Sequence, residues 1–312
     1  MSTWQLSTPV AFFIFNRPDT TGRVFEAIRR ARPARLLVVA DGPRPGRGGE
    51  AEKCAAARAI IDGVDWPCEV SLDFSDENLG CRRRVSSGLD WVFGLVEEAV
   101  ILEDDCLPHP TFFRYCEELL EKYRDDDRVM MISGDNFQFG ARRTGDSYYF
   151  SRYPHVWGWA SWRRSWESYD VDMKIWPQIR DEGWLEEYFG DGNSRYWREV
   201  FQAVYRGGMS CWAHQFTFAC MVHHRLCILP AVNLVSNIGF GADATHTTGQ
   251  GKLSGMRTEA MQFPLQHPPH MIRDARADRR TEKDQFQLLT IAARLRRLLF
   301  LMYQKLGGTL KW

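Results

Sequence analysis

Short apolar runs alternate with longer amphipathic stretches along the first half of the chain. The apolar runs predict strands and the stretches between them predict helices. The predicted strands are 10–15, 35–40, 68–74, 99–102 and 128–132. The predicted helices are about 20–31, 82–96 and 110–123, and a further helix ends at 61. Such alternation is typical of parallel strands joined by right-handed crossovers. The pattern therefore predicts an α/β fold with a mixed, mostly parallel central sheet flanked by helices.

An acidic triplet (Glu103, Asp104 and Asp105) directly follows the predicted strand 99–102. Ligands of open α/β sheets bind at the carboxyl ends of the strands. Neighbouring carboxylates repel one another, so we expect a positive group between them, and a hard divalent cation is the simplest candidate. Strand alternation would place Glu103 and Asp105 on one face and Asp104 on the other. The alternative is a solvated acidic turn.

Further polar side chains follow the other predicted strands, and these are Arg17, Asp41 and Arg84. Neither the GxGxxG pattern nor the GxxxxGK[ST] pattern occurs, which argues against dinucleotide-binding and P-loop proteins. Basic groups beside an acid-bound cation suit a diphosphate. Structural alternatives remain, since Arg17 could be a surface charge, Asp41 could stabilise its turn, and Arg84 could face solvent.

Composition narrows the classes of partner. The chain has 40 basic and 40 acidic residues, so no overall charge points to nucleic acid. No apolar stretch approaches the roughly 20 residues of a membrane span, and no secretory signal is evident. The eight cysteines form no CxxC pair, which favours reduced cysteines and a cytoplasmic protein.

Several motifs together resemble those of GT-A fold nucleotide-sugar glycosyltransferases. They are Phe15-Asn16-Arg17-Pro18, Asp41-Gly42, Glu77-Asn78-Leu79-Gly80, the acidic triplet, Val156 to Arg163 and Asn233 to Gly241. Their order and spacing resemble bacterial family-2-like enzymes over about residues 8–250. A more distant similarity is to N-acetylglucosaminyltransferase I, which shares the Glu-Asp-Asp form of the metal motif.

The resemblance implies a metal-dependent, inverting transfer of a sugar from a nucleotide diphosphate, with a leaning to UDP, to a hydroxyl of a glycan or lipid-linked acceptor. The cofactor would be Mn²⁺ or Mg²⁺. It implies these roles: metal ligand for Asp105, ribose contact for Asp104, donor-sugar contact for Glu103, base contact for Asp41, and nucleotide contacts for Arg17 and Arg84.

The general base is harder to assign. In the distant relative it is an aspartate shortly after a tryptophan, whereas the corresponding stretch here reads Trp212-Ala213-His214-Gln215. His214 is the first candidate because imidazole titrates near neutral pH, and Asp135 is the second. His214 could instead only pack. His246 could be a further metal or phosphate ligand, or simply an exposed loop histidine.

Trp157, Trp159 and Trp162 are expected to share one face of a strand. Trp157 and Trp159 would then stack under the acceptor sugar. The alternative is a buried aromatic core.

The predicted organisation is a catalytic domain at 1–255, with a nucleotide-sugar half at about 1–106 and an acceptor half at about 107–255. A linker and a C-terminal basic amphipathic helix follow at 256–312. The helix, at 288–306, could contact an anionic membrane or cap the domain. Two other functions stay open, a non-catalytic nucleotide-sugar or carbohydrate-binding relative and a sugar-nucleotide pyrophosphorylase. Nothing in the sequence defines the oligomeric state.

Overall fold

The structure is a computed structural model that describes residues 4–190, 193–240 and 252–286. The strands are β1 (Val10–Ile14), β2 (Arg35–Ala40), β3 (Glu69–Phe74), β4 (Glu98–Glu103), β5 (Cys106–Pro108), β6 (Val129–Ser133), β7 (Tyr148–Ser151), β8 (Trp159–Trp162), β9 (Leu226–Pro230) and β10 (Val235–Asn237). The helices are α1 (Pro18–Ala31), α2 (Glu50–Ala59), α3 (Gly80–Leu95), α4 (Thr111–Lys122), α5 (Arg163–Trp166), α6 (Trp176–Asp181), α7 (Trp184–Phe189), α8 (Ser194–Tyr205), α9 (Ala213–Val222) and α10 (Ala275–Gln285), with a 3-10 turn at Ile60–Gly63.

The central sheet has eight strands in the order β3-β2-β1-β4-β8-β6-β9-β7. The first four strands in this order run parallel to one another. β8 is antiparallel to both β4 and β6, and β7 is antiparallel to β9, whereas β6 and β9 are parallel. The prediction of an α/β fold with a mixed, mostly parallel sheet flanked by helices is therefore confirmed.

The strands β1, β2 and β4 are largely apolar because helices cover both faces of the sheet there, whereas the edge strand β3 is partly exposed and alternates polar with apolar residues. On one face, residues such as Phe12 and Leu102 pack in the same cluster as Val24 of α1 and Leu119 of α4. On the other face, Phe13 packs in a cluster with Leu89 of α3 and Phe216 of α9. α6, α7 and α8 form a separate aromatic cluster with the end of α9.

A small second sheet pairs β5 with β10 in antiparallel register. Because β5 begins directly after the acidic triplet, this pairing brings Asn237 and the residues after it back to the end of β4. The backbone N–H of Ile238 donates to the carbonyl of Asp105 at 2.8 Å. The small sheet therefore fixes the acidic triplet from its carboxyl side.

Residues 256–286, which belong to the predicted linker and C-terminal segment, pack on the main fold. Met261 and Leu265 are buried in the core, and Ala277 of α10 is buried against the opposite face of the sheet. The proposed basic helix at 288–306 lies outside the described residues. Among the helices that are described, none is long and apolar enough to cross a membrane.

Candidate functional site

A cavity of about 570 Å³ lies at the carboxyl ends of β1, β2 and β4. Its wall combines strand ends, the start of α3, the segment 209–214 and the segment 237–240. The polar and aromatic side chains that line it include Arg17, Asp41, Arg44, Asn78, Cys81, Arg84, Glu103, Asp104, Asp105, Trp157, Cys211, Trp212, His214, Asn237 and Phe240. Most of the residues predicted for the nucleotide sugar therefore meet at one place.

Arg17 supplies the positive charge between two of the acidic residues. Its guanidinium donates to Asp105 Oδ2 at 2.8 Å and forms a second ion pair with Asp104 Oδ1. β4 ends at Glu103, so Asp104 and Asp105 lie in a turn and both face Arg17. The expectation that strand alternation separates these two aspartates is therefore wrong. Asp104 also accepts from the backbone N–H of Phe15 at 3.1 Å.

Burial strengthens the interactions between the charged side chains in this group. Burial alone would lower the pKa of Arg17, but the Asp104 and Asp105 carboxylates outweigh it and raise that pKa. Glu103 has no such cationic partner at hydrogen-bonding distance among the described residues. Burial, with the charges of Asp105 and Asp104, raises the pKa of Glu103 to about 8. Burial therefore favours the protonated form of Glu103 relative to an exposed glutamate.

Gly239 closes the site over Asp105. A Cβ at this position would lie 2.2 Å from Asp105 Oδ2 and 2.5 Å from an Arg17 guanidinium nitrogen. The backbone N–H of Gly239 donates to Asn237 Oδ1 at 2.9 Å, which holds the segment in place. Only a residue without a side chain allows this approach to the ion pair.

The acidic triplet does not by itself form a protein metal cage. Among residues 4–190, 193–240 and 252–286, no group of three or more His, Cys, Asp or Glu side chains could hold a metal ion. The reason is visible at Arg17, which already binds one oxygen of Asp104 and one of Asp105. Mg²⁺ and Mn²⁺ often take only one or two protein carboxylates, with phosphate and water completing the shell. The carboxylate of Asp105 suits such an ion only if a bound diphosphate supplies further oxygen ligands.

Asp41 is fully engaged by the turn that precedes α3. Its Oδ1 accepts from the backbone N–H groups of Gly42 at 3.0 Å and Leu79 at 2.8 Å. Its Oδ2 accepts from the N–H of Gly80 and from Asn78 Nδ2, both at 3.0 Å. A carboxylate has about four acceptor positions, so none remains for a nucleotide base. This geometry favours the structural alternative for Asp41.

Arg84 is buried and also serves the fold. Its guanidinium donates to the carbonyl of Ala40 at 3.1 Å, forms an ion pair with Asp73 at 2.7 Å and donates to Ser87 Oγ at 3.2 Å. Arg84 thereby joins α3 to the ends of β2 and β3. Arg84 does not face solvent. Each of its guanidinium nitrogens already has a protein partner, so none is left for a nucleotide.

Asp135 lies after β6 but is fully buried beneath the surface. Its Oδ1 contacts His155 Nδ1 at 2.7 Å, and its Oδ2 accepts from the backbone N–H of Trp157 at 3.2 Å. The side chain of His155 in turn stacks on Phe137. Asp135 does not line the cavity, so its position does not favour a role as general base.

The three tryptophans do not share one face. Trp157 precedes β8, lines the cavity and makes edge contacts with Phe137 and Phe240, with ring centroids 5.1 and 5.8 Å apart. Trp159 is buried and stacks on Trp212 at 5.5 Å. Trp162, three residues further, packs on the opposite face of the sheet. Only Trp157 is placed to contact a ligand, and Trp159 belongs to the core.

His214 lines the cavity from the first turn of α9. Its ring makes an edge contact with Trp197 at 6.4 Å. Trp212, which stacks on buried Trp159, fixes the start of this helix. The structure therefore brings His214 to the same cavity as Asp105, as the catalytic prediction requires. His246 lies outside the described residues.

Sequence reasoning missed several cavity residues. Arg44 follows the Asp41 turn and lies over Phe15, with its Cζ 5.7 Å from the ring centroid. Cys81 and Cys211 are both free and half-buried in the cavity wall. Arg44 sits close after a predicted strand end, which was a usable signal. No local pattern marks the two cysteines, which come from distant parts of the chain.

No protein-family model matches this chain, and a comparison with the curated proteins finds no match.

Proposed function

We propose that this chain is a nucleotide-sugar glycosyltransferase of the GT-A type. The observation that carries the proposal is the meeting of Arg17, Glu103, Asp105, Trp157 and His214 around one cavity at the carboxyl edge of a mostly parallel sheet. A volume of about 570 Å³ is in the range of small-ligand sites. The carboxyl edge is where open α/β sheets bind their ligands.

In this proposal the chain transfers a hexosyl or N-acetylhexosaminyl group from a UDP-sugar to a hydroxyl of a glycan or lipid-linked acceptor, with inversion. Asp105 would hold Mn²⁺ or Mg²⁺ together with the donor diphosphate, and the ion would supply Lewis-acid stabilisation of the leaving group. Arg17 then exchanges an Asp105 oxygen for the diphosphate, where its charge opposes the developing negative charge. We place the protein in the cytoplasm, with polysaccharide biosynthesis as its process.

The acceptor side follows from the same cavity. Glu103 contacts a hydroxyl of the donor sugar, and the aromatic ring of Trp157 contacts the acceptor sugar. His214, on the other wall, accepts the proton of the attacking hydroxyl. Inversion requires this base on the side of the sugar opposite the diphosphate.

The direct test is release of UDP from a panel of UDP-sugars, with candidate acceptors and with or without Mn²⁺. We expect one donor to be turned over and EDTA to abolish the reaction. Donor binding without turnover on any acceptor would support the non-catalytic alternative. Formation of UTP from pyrophosphate and a UDP-sugar would support the pyrophosphorylase alternative.

A further inference from the structure

A second pocket, here called the rear pocket, lies on the opposite edge of the sheet from the candidate site. It has a volume of about 700 Å³ and lies where β9 begins and β7 ends. β9 is parallel to β6, which is antiparallel to β8, which is antiparallel to β4. β9 therefore runs in the same direction as β4, so its first residue lies at the edge away from the acidic triplet.

Three arginines line the rear pocket, and they are Arg152, Arg225 and Arg273. Two of them meet at one carboxylate oxygen, Asp278 Oδ2, with Arg152 Nε at 3.7 Å and an Arg273 nitrogen at 3.3 Å. Arg152 also pairs with Glu282 at 3.4 Å. Two carboxylates thus serve two of the three arginines.

Arg225 is the cation that these carboxylates do not reach. Its guanidinium donates to Ser168 Oγ at 2.9 Å and contacts Met130 Sδ at 3.6 Å. Within residues 4–190, 193–240 and 252–286 it forms no ion pair. A half-buried guanidinium with only neutral partners favours a bound anion. The exposed ring of His224, which also lines the rear pocket, can add a further donor.

The rest of the wall is aromatic or aliphatic. Arg152 lies over the rings of Tyr188 and Phe189, with its Cζ 5.4 and 4.9 Å from their centroids. Ile272 is 72 % exposed at the rim, beside Met271. An exposed aliphatic side chain therefore lies next to a net positive charge. This combination suits a ligand with an anionic head and an apolar substituent.

We propose that the rear pocket is a second ligand site, which takes a phosphate monoester. The phosphate binds Arg225 and His224, and its apolar substituent packs against Tyr188, Phe189 and Ile272. Phosphate fits better than carboxylate because its oxygens accept from several directions, and because the chain already supplies carboxylates to Arg152 and Arg273. The site does not rest on the proposed glycosyl transfer, since it shares no residue with the cavity at β4.

Calorimetric titration of the full chain with inorganic phosphate, glucose 1-phosphate and geranyl phosphate tests this site at low salt. Arg225→Gln should weaken binding of all three by about tenfold or more, the scale of one charge-assisted hydrogen bond. Ile272→Ser should weaken only geranyl phosphate, by about threefold. Arg30→Gln removes the same charge from an exposed position on α1 and should change nothing. If Arg225→Gln does not fold, as judged by circular dichroism, His224→Ala takes its place.

Tighter binding of geranyl phosphate than of glucose 1-phosphate would support the apolar substituent, and the reverse order would overturn that part of the proposal. Wild-type affinity in folded Arg225→Gln, or in folded His224→Ala, would overturn the proposal. Loss of phosphate binding in Arg17→Gln, with Arg225→Gln unaffected, would place the phosphate in the cavity at β4 and would also overturn it.

Discussion

The polar residues that follow the strands are oriented differently in the two halves of the sheet, the parallel half (β3, β2, β1 and β4) and the mixed half (β8, β6, β9 and β7). After β1 and β4, the side chains of Arg17 and Asp105 reach the cavity and bind each other. After β6, the carboxylate of Asp135 turns inward and is covered by His155 and Trp157. The end of a strand therefore places a residue at the rim, whereas later segments of the chain decide which way its side chain faces.

Substitution of His214 should reduce turnover far more than any other change considered, and it distinguishes His214 from Asp135 as the general base. His214→Ala should lower turnover by about two to four orders of magnitude with donor affinity little changed, because His214 lines the cavity and its loss removes the proton acceptor. The measurement is steady-state kinetics with the active donor, together with donor titration. Near-normal turnover in this variant, together with a folded but inactive Asp135→Asn, would assign the general base to Asp135 and not to His214.

The next effect concerns stability. Asp135→Asn should destabilise the fold by about 2 kcal/mol, because an amide nitrogen would face a buried donor, either His155 Nδ1 or the N–H of Trp157. Urea unfolding measures this, with Asp172→Asn at an exposed position as the matched control. Equal stability of the two variants would show that Asp135 is not the structural residue described above.

A smaller effect is expected at Gly239. The new methyl group of Gly239→Ala would overlap the Arg17–Asp105 pair, so donor affinity should fall by about tenfold, the scale of overpacking. Gly94→Ala is the control, because no atom outside its own helix lies within 4 Å of a Cβ there. That control should leave donor affinity unchanged and slightly stabilise α3. Unaltered affinity in Gly239→Ala would mean that segment 237–240 does not close over the donor.

The smallest effect is a pH dependence. The pKa of Glu103 is raised by burial from its ordinary 4.5 to about 8, so the folded chain holds this proton more tightly than the unfolded chain. The contribution of Glu103 to stability therefore falls as pH rises from 4.5 toward 8. Glu103→Gln should melt on the order of 2–4 °C higher than wild type at pH 8 in EDTA, and the gap should shrink at pH 5. A gap that does not depend on pH, or one that is matched by exposed Glu187→Gln, would contradict this assignment.

Much of the parallel half could be predicted from the sequence because its signals are local. The strand Arg35–Ala40 was predicted at its observed bounds, and the helix predicted at about 110–123 is observed at Thr111–Lys122. Apolar runs covered on both faces and amphipathic helices each carry their own pattern. The same logic placed the acidic triplet at the carboxyl edge of the sheet, where the cavity lies.

The remaining features depend on contacts between distant residues. The expected positive group proved to be Arg17, which lies 87 and 88 positions before its two aspartates. Asp41 and Arg84 lie at the cavity, but the sequence does not show that the turn before α3 and the ends of β2 and β3 use their hydrogen bonds. Trp159 and Trp162 were assigned to one face, although their odd spacing places them on opposite faces.

In the proposed function, Asp105 and its neighbours form a metal-assisted site for a nucleotide diphosphate. The most direct measurement is calorimetric titration of UDP in the presence of Mn²⁺, with wild type, Asp105→Asn and Asp135→Asn compared in parallel. Wild type and folded Asp135→Asn should bind with similar affinity, whereas Asp105→Asn should bind at least about 100-fold more weakly and lose its dependence on Mn²⁺. Unchanged affinity for UDP in a folded Asp105→Asn variant would contradict the account.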